Sequence, residues 1–264
     1  MAFDRLGEIV VHHTRTGPAE APLLVFVNSL GTDLRVWDAF LPSLGAGFAF
    51  LRYDKRGHGL TDATTGPYSI QGLAEDLARL LDSQAAKQAI VCGLSIGGMI
   101  AQSLAAIRPD LVRGLILMDT AHKIGTAKMW SDRIAAIRAG GIASIADAIL
   151  QRWFSPDFHR DRPDELAGWR NMLIRTPLEG YLACCAAIRD ADLTEAAKGI
   201  RAPTLCMVGD QDGSTPLEVV AALAGLVPGS RLVTIEGAGH LPCVERPDAT
   251  AAAITSFLAE TGLG

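Results

Sequence analysis

No apolar run in the sequence is long enough to cross a bilayer, which argues against a helical membrane protein. There is no basic run and no acidic tail either: 24 Lys and Arg stand against 29 Asp and Glu, a net charge of −5. Nucleic acid and anionic membrane are therefore poor guesses as partners. The opening stretch, MAFDRLGEIV, has acids interrupting its short apolar pieces, so neither a signal peptide nor a transit peptide is expected. The five cysteines (Cys92, Cys184, Cys185, Cys206 and Cys243) are odd in number and lack C-x-x-C spacing. Cys184 and Cys185 are neighbours, too close for an ordinary bridge. Reduced, mostly buried thiols in a cytoplasmic protein are the expectation. The six histidines are scattered, with no H-E-x-x-H cluster, so no metal site is expected. Both G-x-G-x-x-G and G-x-x-x-x-G-K-[ST] are missing, which argues against a phosphate-cradling loop.

What is present is a chain of 264 residues, 49% apolar, the size of one large domain or of one domain with an insertion. Such a chain can bury a single core without disulfide or metal staples. Short apolar runs alternate with helix-period segments, the pattern of an α/β sheet. Strands are predicted at Glu8–Thr14, Pro22–Asn28, Phe48–Asp54, Gln88–Gly93, Val112–Asp119, Pro203–Gly209 and Arg231–Glu236. The later ones read as strands covered on both faces. Ser69–Asp82 reads as a helix, with Ile70, Leu73, Leu77 and Leu80 on one face. Thr215-Pro216-Leu217-Glu218 reads as a capping box opening another. Between about His122 and Asp190 the alternation breaks into successive helical stretches. That segment, 122–190, is expected to be a helical cap over the carboxyl ends of the strands, with 1–121 and 191–264 forming the core domain.

The strongest chemical signal is Gly93-Leu94-Ser95-Ile96-Gly97-Gly98, which ends an apolar strand and opens a helix. In that context G-x-S-x-G is a nucleophile elbow. A sharp strand-to-helix turn holds the serine in a strained conformation, and glycines two residues away remove the side chains that would collide. A serine hydroxyl needs a base, and the base needs an orienting acid. Asp212, in Val208-Gly209-Asp210-Gln211-Asp212, follows one later strand; His240, in Gly237-Ala238-Gly239-His240, follows the last. Asp119, at the end of the preceding strand, is the alternative acid, while Asp210 is expected to stabilise its loop. His58 precedes Ser95 and is expected to order its own turn; His12, His13 and His159 read as surface or structural residues. A tetrahedral oxyanion needs two fixed N–H donors. The Ile96 amide, at the helix start, supplies one, and the Leu30 amide in Asn28-Ser29-Leu30-Gly31 is chosen for the other.

These segments (NSLGTDLRVWD, RYDKRGHG, GLSIGGMIAQ, GDQD and GAGHLPCVERP) resemble the α/β-hydrolase superfamily from end to end. The resemblance implies a mostly parallel central sheet flanked by helices, with the cap inserted after the sixth strand of that fold. More narrowly, NSLGTD and the forms of RYDKRGHG and GLSIGGMIAQ look like the 3-oxoadipate enol-lactonases of bacterial aromatic catabolism. Carried over residue by residue, this implies Ser95 as nucleophile, Asp212 as acid, His240 as base, Leu30 and Ile96 as oxyanion donors, and no cofactor. It also implies a small anionic lactone as substrate. A broad carboxylesterase or perhydrolase on the same triad, or a ligand receptor on a hydrolase scaffold, are the competing readings. A haloalkane dehalogenase would carry Asp where Ser95 stands. The cap holds ten basic residues against eight acidic and three of the four tryptophans, Trp130, Trp153 and Trp169. Trp130 and His122 are the cap-side candidates for substrate contact.

Overall fold

The structure, a computed structural model, describes residues 1–264. Eight strands make one sheet: β1 (Ala2–Leu6), β2 (Ile9–Thr16), β3 (Leu23–Val27), β4 (Ala49–Tyr53), β5 (Ala89–Leu94), β6 (Val112–Met118), β7 (Thr204–Gly209) and β8 (Arg231–Ile235). Their spatial order is β1-β2-β4-β3-β5-β6-β7-β8. β2 pairs antiparallel with both β1 and β4, and every other pair is parallel. Every residue of β3, β5 and β7 is buried, as strands covered by helices on both faces must be.

The helices are α1 (Ile70–Ser83), α2 (Ile96–Ile107), α3 (Ala127–Gly140), α4 (Ala146–Trp153), α5 (Pro156–Asp161), α6 (Pro163–Ile174), α7 (Leu178–Asp190), α8 (Thr194–Gly199), α9 (Leu217–Leu226), α10 (Pro242–Glu245) and α11 (Pro247–Glu260). Ser69 caps α1 through its hydroxyl, which accepts from the Gly72 amide at 3.0 Å. No strand interrupts the run from α3 to α7, which lies between β6 and β7. Its buried Trp130, Trp153 and Tyr181 join the same apolar cluster as the sheet. None of the helices is long and apolar enough to cross a membrane.

Two expectations need correction. The strand Ala2–Leu6 was not foreseen; it is five residues long and its solvent-facing positions alternate with partly covered ones, as on a sheet edge. With it, Val112–Met118 becomes the sixth strand. β8 is not covered on both faces: Arg231, Leu232 and Thr234 are exposed, because the strand forms the opposite edge.

The order of strands decides where chemistry can sit. β3 lies between β4 and β5, so the chain leaves it to one side and returns on the other, opening a crevice at the carboxyl ends. Val27 of β3 pairs with Gly93 of β5. The loop after β3 is thereby held beside the turn after β5.

Candidate active site

Ser95 sits between β5 and α2 with φ 59° and ψ −119°, a left-handed conformation rare for a residue with a side chain. The surrounding glycines explain how it persists. A Cβ on Gly93 would meet the backbone of Gly97, and one on Gly97 would meet the Val27 carbonyl. The elbow is then fixed from the sheet side. The Ser95 amide donates to Met118 O at 2.9 Å, and the Thr120 hydroxyl donates to Ser95 O at 2.6 Å. The N-terminal end of α2 thus lies against Ser95, with its partial positive charge where an oxyanion would form.

His240 Nδ1 lies 2.9 Å from Asp212 Oδ2. A carboxylate only accepts, so Nδ1 carries the proton and Nε2 is left as the basic nitrogen. Asp212 is buried and accepts four bonds in all. Besides His240, Oδ2 takes the Thr215 hydroxyl at 2.6 Å, and Oδ1 takes the amides of Ser214 and Thr215 at 2.7 and 3.2 Å. Burial alone would raise its pKa, but His240 and these donors outweigh burial and hold the carboxylate below its ordinary value. The expected capping box is corrected here. Thr215 does not cap α9, whose N-cap is Pro216 without a side-chain bond, because the Thr215 hydroxyl is bound to Asp212 instead.

Asp119 takes a different part. It is fully buried with φ 45°, and its Oδ1 accepts the Gly209 amide at 2.9 Å while Oδ2 has no partner. Its carboxylate, Asp212 and His240 lie with one polar atom each inside 4.8 Å. Burial first, and the Asp212 charge second, push the Asp119 carboxyl well above the usual range. Its shift is opposite in direction to that of Asp212, which is held low. Asp210 accepts the amides of Gly237 and Ala238 and so ties its loop to that of His240.

The helical segment between β6 and β7 holds this arrangement through its backbone. Trp153 O accepts the His240 amide at 2.8 Å, and Arg152 O accepts the Gly213 amide at 3.3 Å. Buried Glu245 bridges the two sides, receiving Ser155 Oγ at 2.5 Å and the Gly239 amide at 2.7 Å.

Ser95, His240, Leu30 and Trp130 line one cavity of about 110 Å³, together with Arg133, Arg152, Trp153 and Tyr181. Neither the Leu30 nor the Ile96 amide hydrogen has an acceptor within the chain. Two unpaired donors are therefore available beside Ser95. The turn after β4 holds the loop of Leu30: Gly31, at φ +79°, donates its amide to His58 Nε2 at 2.9 Å, and Lys55 Nζ donates to Ser29 O at 2.6 Å. His58 thus orders the loop after β3 as well as its own turn. Burial, reinforced by Lys55, drives its pKa well down, so the ring stays neutral and can accept.

Trp130 presents its ring to the cavity because its indole N–H is bound to Ile124 O at 2.7 Å. His122 is not among the lining residues. It is half-buried in the loop between β6 and α3, where its carbonyl accepts the Leu193 amide. The substrate contact expected of it is not supported by this placement. Sequence reasoning missed Arg133, Arg152 and Tyr181. Arg133 is three residues after Trp130, the one hint of a shared helix face; the others are placed by tertiary packing.

The alpha/beta hydrolase family matches residues 24–253. The chain belongs to that family. It is 35% identical over 242 residues to 3-oxoadipate enol-lactonase 2 of Acinetobacter baylyi, covering 92% of this chain and 90% of the relative. The crystal structure of the enol-lactonase from Burkholderia xenovorans superposes with a TM-score of 0.94 at 36% identity, covering 98% of this chain and all of that one. A malate-bound thermophilic esterase from Thermogutta terrifontis gives 0.89 at 29% identity, with 96% and 94% covered.

Proposed function

We propose that this hydrolase opens a small anionic enol-lactone, of the kind that yields 3-oxoadipate, through a Ser95–His240–Asp212 acyl-enzyme. Ser95 Oγ attacks the lactone carbonyl while His240 Nε2 takes its proton, and the Leu30 and Ile96 amides receive the oxyanion. Collapse breaks the ring C–O bond, and the enol oxygen leaves as part of the acyl group still bound to Ser95. The proton that His240 took from Ser95 passes to the carbon of that enolate, which leaves His240 neutral and turns the enolate into a ketone, too weak a nucleophile to close the ring again. Water deprotonated by His240 then cleaves the ester and frees the keto acid. The residues named suffice for these steps, with no cofactor.

The observation that carries the substrate class is a pair of unneutralised cations in the cavity. Elsewhere in the cap Arg160, Arg162, Arg170 and Arg189 each hold an acid. Arg133 and Arg152 hold none and line the cavity with Ser95. Arg133 lies over the Trp130 ring, its Cζ 4.7 Å from the centroid. Burial, and then the neighbouring Arg133, lower the Arg152 pKa, so an arriving anion would relieve both costs. The cavity is below the range typical of drug-sized ligands, which favours a small ring over a long acyl chain. Enol-lactonase and malate-bound relatives agree with an acidic ligand.

Arg152→Gln and Arg133→Gln should each raise KM for the carboxylate-bearing lactone by about 10–100-fold, roughly 1.4–2.8 kcal/mol. Rates on its methyl ester should change by less than about threefold. Steady-state kinetics on both substrates check this, and an equal loss on the neutral ester would remove the anion-binding role.

A further inference from the structure

The turn after β4 contributes nothing to the triad, yet it buries a lysine. Lys55 is 1% exposed, forms no ion pair, and its Nζ makes one hydrogen bond, the 2.6 Å contact with Ser29 O. An ammonium taken out of water without a carboxylate partner is costly. Its position shows what that cost can serve. Ser29 C=O and Leu30 N–H are the two ends of one planar peptide unit, so whatever fixes the carbonyl also fixes the direction of the N–H. Thr32 adds its hydroxyl at 3.1 Å and its amide at 3.3 Å to the same carbonyl. On the far side of Leu30, His58 holds the Gly31 amide. The Leu30 peptide is therefore held at both flanks by the turn after β4. Charge matters as well as geometry: a cation against the carbonyl oxygen draws electrons through the conjugated C–N bond and makes the N–H a stronger donor.

We propose that Lys55 is a positioning residue of the oxyanion hole, acting through the Ser29–Leu30 peptide to orient and polarise the Leu30 N–H. This rests on the reading of that amide as an oxyanion donor. The effect is felt when negative charge develops on the substrate oxygen and little before, so it belongs in kcat and not in KM. Asp33 and Asp54 on its own side, His58 in its turn and Cys184 of α7 are the titratable groups that face it. Burial outweighs Cys184 and then the two aspartates, and lowers the ammonium to about 7. As pH rises through that value the charge is lost, which adds an alkaline decline to kcat.

The test is Lys55→Met, with Lys55→Arg as the charge-retaining control, on the carboxylate-bearing lactone. The second readout is inhibition by a trifluoromethyl ketone, to whose carbonyl Ser95 adds, leaving an oxyanion in the same hole. Expected for Lys55→Met are a 30- to 100-fold fall in kcat, a matching rise in the ketone's Ki, KM within about twofold, and no alkaline decline near 7. Lys55→Arg should recover part of both losses. Wild-type kcat and Ki in Lys55→Met, beside an inactive Ser95→Ala, would overturn the proposal and leave the triad standing. An active Ser95→Ala would instead remove the reading beneath it. If Lys55→Met does not fold, the Leu30 amide resonance in His240→Ala, followed from pH 6 to 11, decides the matter. A titration step supports the coupling and a flat resonance refutes it.

Discussion

Ser95→Ala and His240→Ala are each expected to abolish measurable turnover, a loss on the order of 10⁴-fold or more, in proteins that remain folded. The two losses should be alike and should not add, because nucleophile and base act as one unit. In the proposed mechanism Ser95 supplies the oxygen that forms the acyl bond, and His240 is the one imidazole lining its cavity that can take the proton. Folding should survive the serine change, since Ser95 is fixed through its backbone by Met118 O and the Thr120 hydroxyl, not through its side chain. Removing a hydroxyl at φ 59° leaves the strain unchanged, because alanine meets the same backbone cost there. His240 makes its amide bond to Trp153 O whatever its side chain. Circular dichroism and thermal melts establish folding, and rates on the lactone give the loss. More than a tenth of wild-type turnover in either folded variant would dismiss this triad.

The second large effect separates two buried acids that stand side by side. Asp212→Asn should lower kcat by about 10⁴-fold, by analogy with the serine proteases in which the orienting acid has been changed to its amide. An amide at this place can turn its NH2 toward His240 Nδ1, which then has to accept, and the proton moves to Nε2, the nitrogen that must take the Ser95 proton. Asp119→Asn should cost less than about tenfold. Its Oδ1 can still accept the Gly209 amide, and a neutral amide is spared the burial and the Asp212 charge that push the carboxyl's pKa up. Stability should move in the opposite direction. Asp119 has a folded-state pKa raised by burial and by Asp212, so its stabilising contribution is complete below the unfolded value and falls as pH rises through the raised one. Asn is insensitive to pH. Asp119→Asn should therefore melt higher than wild type near neutral pH, by at least about 2–4 °C, and this advantage should shrink toward pH 4. Kinetics and melts at both pH values test the pair. A larger kinetic loss in Asp119→Asn than in Asp212→Asn would move the acid to the end of β6.

Local sterics made part of this site readable in the sequence. Gly93 and Gly97 have no room for a side chain, so the elbow carries its own signature. Asp212 and His240 could be picked as candidates because each leaves a parallel strand at its carboxyl end, where such a sheet presents its loops, and the structure brings them within 2.9 Å of each other. What escaped depends on contacts between distant segments. Thr215 carries the pattern of a helix cap, and only the approach of the His240 loop shows that its hydroxyl belongs to Asp212. Lys55, a charge in a polar turn, has no local mark of burial; the cover comes from the loop after β3 and from α7. Arg133 and Arg152 sit on different helices, and their shared cavity follows from how the cap folds back. His122 shows the same dependence: its place soon after a strand end does not determine where its side chain goes, and it is not among the residues lining the cavity. The fold itself was clearest where strands are buried and least clear at the two edges, where Ala2–Leu6 and Arg231–Ile235 lose the apolar run.

The charge of the substrate decides between an enol-lactone hydrolase and a general esterase, and one comparison tests it directly. Steady-state rates of the unmodified enzyme should be measured on the carboxylate-bearing enol-lactone, on its methyl ester and on p-nitrophenyl acetate. With Arg133 and Arg152 unneutralised beside Ser95, kcat/KM for the anionic lactone should exceed that for the methyl ester by at least about 10²-fold, roughly 2.7 kcal/mol. Equal rates on the charged and neutral lactones, or a preference for the neutral aryl ester, would contradict an anionic lactone as substrate and leave a general esterase in its place.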